Sequence, residues 1–172
     1  TGAFGVVNAT HHRFNLAVMA GALAAGAHYC DLGGLFHQTR RQLRLDSEWR
    51  RADRLALLGI GAAPGIVNVL ARSAADTMEQ VREVHVAVAG VDRTKGRPAS
   101  PIGISYSIQT VLEEASQPAA VFTNGRMTFV PPMSDARRMA FPSPVGRQAP
   151  ALTLHSEVAT LPRTYRRQGI RE

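Results

Sequence analysis

Three short apolar runs, each followed by a helix-like segment, limit the folds open to this chain more than any other feature. "FGVVNA" (4–9), "HYCDL" (28–32) and "LALLGI" (55–60) are brief and valine- or leucine-rich, as strands covered on both faces are. Between them lie "FNLAVMAGALAAGA" (14–27) and "QTRRQLRLDSEWRRAD" (38–53). The first places Leu16, Met19, Ala20, Leu23 and Ala27 on one helical face, with Gly26 as its stop. The second turns Leu45, Trp49 and Ala52 inward. Pro64 sits where a proline suits the first turn of a third helix, running to about Met78. This alternation predicts a parallel sheet with right-handed crossovers, and ligands on such sheets gather at the carboxyl ends of the strands. Those ends are 8–12, 31–34 and 59–65, all small, polar or glycine-rich.

From about residue 80 the pattern changes. "VREVHVAVAGV" (81–91) alternates Val84, Val86 and Val88 against His85, Ala87 and Ala89, which predicts a longer strand. A polar loop (92–103) precedes a helix over 105–116, with Ile108, Val111, Leu112 and Ala115 at helical spacing and Pro118 beyond it. "AAVFTNGRMTFVPP" (119–132) predicts a hairpin, because Asn124–Gly125 supplies both positive-φ positions of a type I′ turn. "ALTLHSEVATLP" (151–162) reads as a strand leading into a short helix capped near Ser156. The expected fold is therefore α/β: a partial Rossmann-like parallel sheet over 1–79, then part of an α+β domain over 80–172.

Composition removes several classes. With 45% hydrophobic residues the chain can bury a core. Its longest apolar stretch, "FNLAVMAGALAAGAHY", falls short of the roughly 20 residues that span a bilayer. No signal-peptide pattern opens the sequence. The single cysteine, Cys30, cannot form an internal disulfide and reads as a small core residue; a reducing, cytoplasmic setting is the expectation. The net charge of +7 and a pI near 10.9 invite a nucleic-acid reading. Yet Arg40, Arg41, Arg44, Arg50, Arg51 and Arg54 are interleaved with Asp46, Glu48 and Asp53, as on a solvated helix face. No zinc-finger spacing and no aromatic RNA-binding signature occurs, so neither a nucleic-acid partner, a membrane nor a bound metal is expected.

The loop "GIGAAPG" (59–65) poses the functional question. A dinucleotide phosphate loop needs G-x-G-x-x-G. Gly59 and Gly61 fit, but the next glycine, Gly65, comes one position late. Glu79 and Glu83 lie near the distance at which a ribose-binding acid should appear, but neither ends a strand in a βαβ unit. The alternative is a loop late in a nucleotide-binding sheet, beside the reactive ring.

The order "VVNATHHRFNLAVMAGALAAGAHYCDLGG", "LLGIGAAPGIVNVLA", "SPIGISYSIQTVLEE", "PAAVFTNGRMTFVPP" and "TLHSEVATLP" resembles the saccharopine dehydrogenase family, in its lysine 6-dehydrogenase-like branch. The resemblance spans nearly the whole chain. It implies an NAD- or NADP-dependent oxidoreductase of lysine metabolism, acting on a C–N bond of a small amino acid such as lysine, saccharopine or a related amine. It also implies a homodimer in the full-length protein. The first Rossmann strands with their phosphate loop, and a carboxyl-terminal remainder, are expected to lie outside these residues, so the isolated chain is expected to be inactive.

By that comparison Asn8, Ala9 and Thr10 run beside the nicotinamide ribose, and Asp31 and Gly33, with Gly34, form a second cofactor-facing strand end. Gly61, Pro64 and Gly65 match the family's G-x-x-P-G loop. Ser105, Tyr106, His155, Ser156 and Glu157 align with segments facing the cleft. His155 has the intrinsic pKa of a base that deprotonates an amine before hydride leaves, and Asp31 is the second candidate catalytic group. Asp31 also reads as a turn cap, Glu157 as a first-turn helix acid, Asn68 as a polar contact or a solvent-facing residue, and His11 and His12 as surface residues. Saccharopine-forming members carry an aspartate where this chain has Ala63. That difference supports a second expectation, a catalytically inactive binding or dimerisation paralogue.

Overall fold

The computed structural model describes residues 2–91, 93 and 107–172. Its first half is a three-stranded parallel sheet in the order β1 (Gly5–Asn8), β2 (His28–Asp31), β3 (Ala56–Leu57). The chain is α/β as expected, but the sheet is small: β3 pairs over two residues, where the apolar run suggested a strand over 55–60.

One face of the sheet is covered. Val6, Tyr29 and Ala56 share a row by register and pack with Met19, Ala22 and Trp49. Helix α1 (Asn15–Ala24) supplies Met19 and Ala22. It ends in a left-handed glycine cap: Gly26 has φ 68°, its N–H donates to Leu23 O, and Ala27 N–H donates to Ala22 O. Ala20, expected inward, faces solvent, and Ala22 takes the buried position. Gly21 lies exposed in α1, and an added Cβ there meets nothing within 4 Å. Gly21→Ala is therefore expected to raise stability by about 0.5–1 kcal/mol, read by urea denaturation.

The helix expected over 38–53 is two helices, α2 (Phe36–Leu43) and α3 (Asp46–Arg51). Arg44 N–H donates to Arg41 O and Leu45 N–H to Gln42 O, tightening the last turn of α2. Asp46 and Glu48 then sit at the start of α3, where the helix dipole favours acids. The break lets Trp49 meet Tyr29, with ring centroids 6.1 Å apart, and leaves Ala52 exposed rather than inward.

The opposite sheet face is bare. Val7, Cys30 and Leu57 form its row; Val7 is 70% exposed, Leu57 50%, and Cys30 half-buried rather than in the core. Helix α4 (Ile66–Ala75) adds exposed Ile66, Val69 and Leu70.

Beyond residue 80 the expected strand over 81–91 is absent. Alternation alone makes no strand without a partner, and among the described residues the backbone of this run bonds at Val81, Arg82 and Val84, to Gln168, Arg171 and Glu172 of the last segment. Helix α5 (Ile108–Ser116) leads to the antiparallel hairpin β4 (Ala119–Thr123) and β5 (Arg126–Val130). Asn124 and Gly125 take φ 53° and 75°, as their turn chemistry demands. Two-residue strands β6 (Met139–Ala140) and β7 (Arg147–Gln148) form a second small hairpin. No strand forms over 151–155; a 3-10 turn (Glu157–Ala159), α6 (Leu161–Thr164) and another 3-10 turn (Arg166–Gln168) follow.

Among the described residues, two core clusters cross residue 80. Leu35 and Phe36 pack with Ala120, Leu154 and Ala159, and Ala75 and Val81 pack with Leu161, Tyr165 and Ile170. Among the described residues, no helix is long and apolar enough to cross a membrane.

Candidate functional site

The carboxyl ends of the three strands meet on one rim. Asn8 pairs with Asp31 in register, Ile60 N–H donates to Asp31 O, and Gly33 lies against Gly59 and Pro64. Beneath the rim is a buried polar network. Asp31 Oδ1 accepts from Gly33 N–H (2.9 Å) and Gly59 N–H (2.8 Å). Its Oδ2 accepts from Tyr29 Oη (3.0 Å) and Gln42 Nε2 (2.6 Å). Asn8 Nδ2 donates to Asn15 Oδ1 and Tyr29 Oη, and its Oδ1 accepts from the Thr10 N–H and hydroxyl. Asn15 Nδ2 in turn reaches Gly33 O and Gln42 Oε1. Burial pushes the Tyr29 phenol well above its ordinary value, with the nearby Asp31 carboxylate adding to it, so it stays a donor. Buried polar groups need such satisfaction, and here it locks three loops to one another.

The glycine spacing has a local cause. Gly33 (φ 118°) and Gly59 (φ 68°) flank the Pro64 ring, and a Cβ on them would lie 2.6 and 2.9 Å from it. A Cβ on Gly61 would strike the Leu32 carbonyl, and one on Gly65 (φ 130°) the Gly61 carbonyl. Gly61 and Gly65 bridge each other, and the Ala63–Pro64 bond is cis. Asn68 turns back so that its Oδ1 accepts from Gly65 N–H at 3.0 Å; it closes the loop rather than facing solvent. The four glycines are thus required by the chain's own packing, two against the Pro64 ring and two against backbone carbonyls.

The second half of the chain comes to this rim through Leu35 and Phe36, which directly follow the 31–34 loop and pack on Leu154 and Ala159. That contact carries His155, Ser156 and Glu157 alongside. His155 Nδ1 hydrogen-bonds Glu157 Oε2, and Nε2 lies 3.5 Å from Glu114 Oε1 of α5. Glu157 and Ser156 are buried, and Ser156 makes no side-chain cap. Burial pulls His155 down, but the hydrogen bond and charge of Glu157, with Glu114 behind, outweigh it and hold the imidazole above its ordinary value. A raised folded pKa gives stability that is complete below the unfolded histidine value, about 6.5, and is lost as pH rises through the folded value. Glu157→Gln is expected to lower the His155 pKa in an NMR titration and to flatten that loss above pH 6.5.

Helix α5 keeps part of its expected inward face, with Val111 and Ala115 half-buried, and departs from the rest. Ile108 and Leu112 are exposed, while Glu113 and Glu114 are half-buried. Glu113 Oε2 lies 2.9 Å from His12 Nε2, and the His12 and His11 rings are 4.2 Å apart. His12 is held below its ordinary pKa by burial and by His11, against the opposing charge of Glu113. Both histidines, expected at the surface, are half-buried at the rim.

The structure therefore brings Asn8, Asp31, Gly33, Gly61, Pro64 and Gly65 to one rim, with Ala9 and Thr10 exposed upon it. It brings His155, Ser156 and Glu157 together beside α5. Ser105 and Tyr106 lie outside the described residues. Asn15, Tyr29, Gln42, Glu113 and Glu114 were not singled out by the sequence, and His12 was read as a surface residue. The one available signal was the acid pair in α5, whose inward turn overrides the apolar spacing. A separate concavity of 560 Å³ opens beside Trp49, His28 and Leu55, toward the amino-terminal ends of β2 and β3. Compared with models of known protein families, the chain matches none.

Proposed function

We propose that this chain is part of an NAD- or NADP-dependent oxidoreductase acting on a C–N bond of an amino acid such as lysine, saccharopine or a related amine. The observation that carries the reading is the convergence of three strand-end loops on one rim, with His155 and its two carboxylates packed alongside. Exposed Leu32 and Ile60, with Ala9 and Thr10, offer an apolar and main-chain shelf suited to a flat ring. A nicotinamide held on that shelf would supply the acceptor for hydride from the amine-bearing carbon. His155 takes the proton of the substrate ammonium at Nε2, whose contact with Glu114 is loose at 3.5 Å, while Glu157 holds the ring at Nδ1. Asp31 and Asn8 act from beneath as positioning residues, since every polar atom of their side chains is engaged within the chain. The same reading places the full-length protein in the cytoplasm as a homodimer.

The test is an NMR titration with NADH and NADPH. Amide shifts confined to residues 9–10, 32–33 and 60–61 are expected, with affinity weaker than micromolar because Gly65 sits one place late for a phosphate loop. No shifts there at millimolar cofactor would overturn the reading. Ala63, which supplies no carboxylate at the loop, favours a second reading: a binding or dimerisation paralogue. Absence of amine-dependent NAD(P) reduction by the full-length protein, over lysine, saccharopine and polyamines, would select it.

A further inference from the structure

We propose that Glu83, His85 and Glu172 form a divalent transition-metal site, made of none of the strand-end rim residues and independent of the function proposed for them. One donor atom from each residue lies within 4.8 Å of the other two. His85 Nε2 is 3.2 Å from Glu83 Oε2, as residues two apart on an extended segment allow. Glu172 arrives from the far end of the chain, and the backbone fixes its approach. Val84 N–H donates to Glu172 O at 3.0 Å; Arg171 and Glu172 N–H both donate to Arg82 O, at 2.7 and 3.1 Å. Three donors on two segments are thus held opposite one another before any ion arrives.

The donor chemistry selects the ion. One imidazole nitrogen and two carboxylate oxygens suit zinc and its neighbours, whereas calcium and magnesium prefer oxygen alone. Ligands bound to one zinc at about 2.0–2.2 Å lie roughly 3.4 Å apart, so the side chains need to close by about 1 Å. They are free to do so, since the His85 and Glu83 side chains are 66% and 58% exposed. That exposure also admits water to complete the coordination. Arg82 and Arg171 flank the acids and oppose a cation, so both carboxylates are needed. Binding would pin residues 171–172 onto 82–85.

Zinc calorimetry on the full chain tests this, with His85→Ala and Glu172→Gln alongside. Both residues are exposed, so both variants are expected to fold as the wild type does. The wild type is expected to bind one equivalent more than either variant, at micromolar zinc, and to gain a few degrees in Tm that the variants do not gain. His11, His12 and His155 remain in every protein, so any zinc they take cancels in the comparison. Equal stoichiometry and affinity in all three proteins, or no binding below about 1 mM, would overturn the proposal. Calcium binding as tightly as zinc and unaffected by His85→Ala would overturn it too, by reducing the site to two exposed acids.

Discussion

Asp31→Ala is expected to lower folding stability by about 3–5 kcal/mol, read as a shift of the urea midpoint at unchanged slope. Asp31 is 1% exposed, and its two oxygens take four donors: Tyr29 Oη, Gln42 Nε2 and the N–H groups of Gly33 and Gly59. Alanine leaves all four without an acceptor. The two side-chain donors are buried and bear the larger cost; the two backbone donors are part-buried and partly recover water. Asp31→Asn keeps an oxygen toward the glycines but turns an NH₂ toward Gln42 and Tyr29, so it should recover only part of the loss. Asp76→Ala removes a carboxylate from an exposed pair with Arg72 and is expected to cost no more than about 0.5 kcal/mol. If Asp31→Ala stays within about 1 kcal/mol of the wild type, the network does not hold the rim.

Gly65→Ala is expected to cost about 3 kcal/mol or more and to unseat the start of α4. Two effects combine. Gly65 has φ 130°, which an L side chain rarely adopts, and its Cβ would fall on the Gly61 carbonyl oxygen. The obstacle is backbone, so no rotamer change relieves it. Gly146→Ala separates the two effects: Gly146 has φ 71°, but nothing lies within 4 Å of its Cβ, so strain alone should cost about 1–2 kcal/mol. If the two variants lose the same stability, the close approach at Gly65 contributes nothing.

Much of the framework was legible because its signals are local. Gly26 stops α1 and Asn124–Gly125 turns the hairpin through φ preferences that the residues carry with them. The three strand-end loops followed from the βαβ alternation. What was not legible depends on neighbours that sequence does not display. Val84, Val86 and Val88 alternate as a strand should, but among the described residues no strand lies beside them. Ile108 and Leu112, half of an expected apolar face, end up in solvent, while Glu113 and Glu114 turn toward His12 and His155. Gln42 sits in a stretch of arginines and reads as surface, yet it is 2% exposed and bonds Asp31. Asp31 was visible as a polar residue at a strand end; that its partners all come from the chain itself was not. The glycines of 59–65 suggested phosphate chemistry by spacing, whereas the close approach of Pro64 to Gly59, of the Leu32 carbonyl to Gly61 and of the Gly61 carbonyl to Gly65 explains them without a ligand.

The bare row of Val7, Cys30 and Leu57 has a calorimetric consequence. Apolar groups already wet in the native state add nothing to the apolar hydration gained when the chain unfolds. The heat capacity of unfolding should therefore fall below the 12–15 cal/mol/K per residue usual for folded domains, and the curve of stability against temperature should be correspondingly shallow.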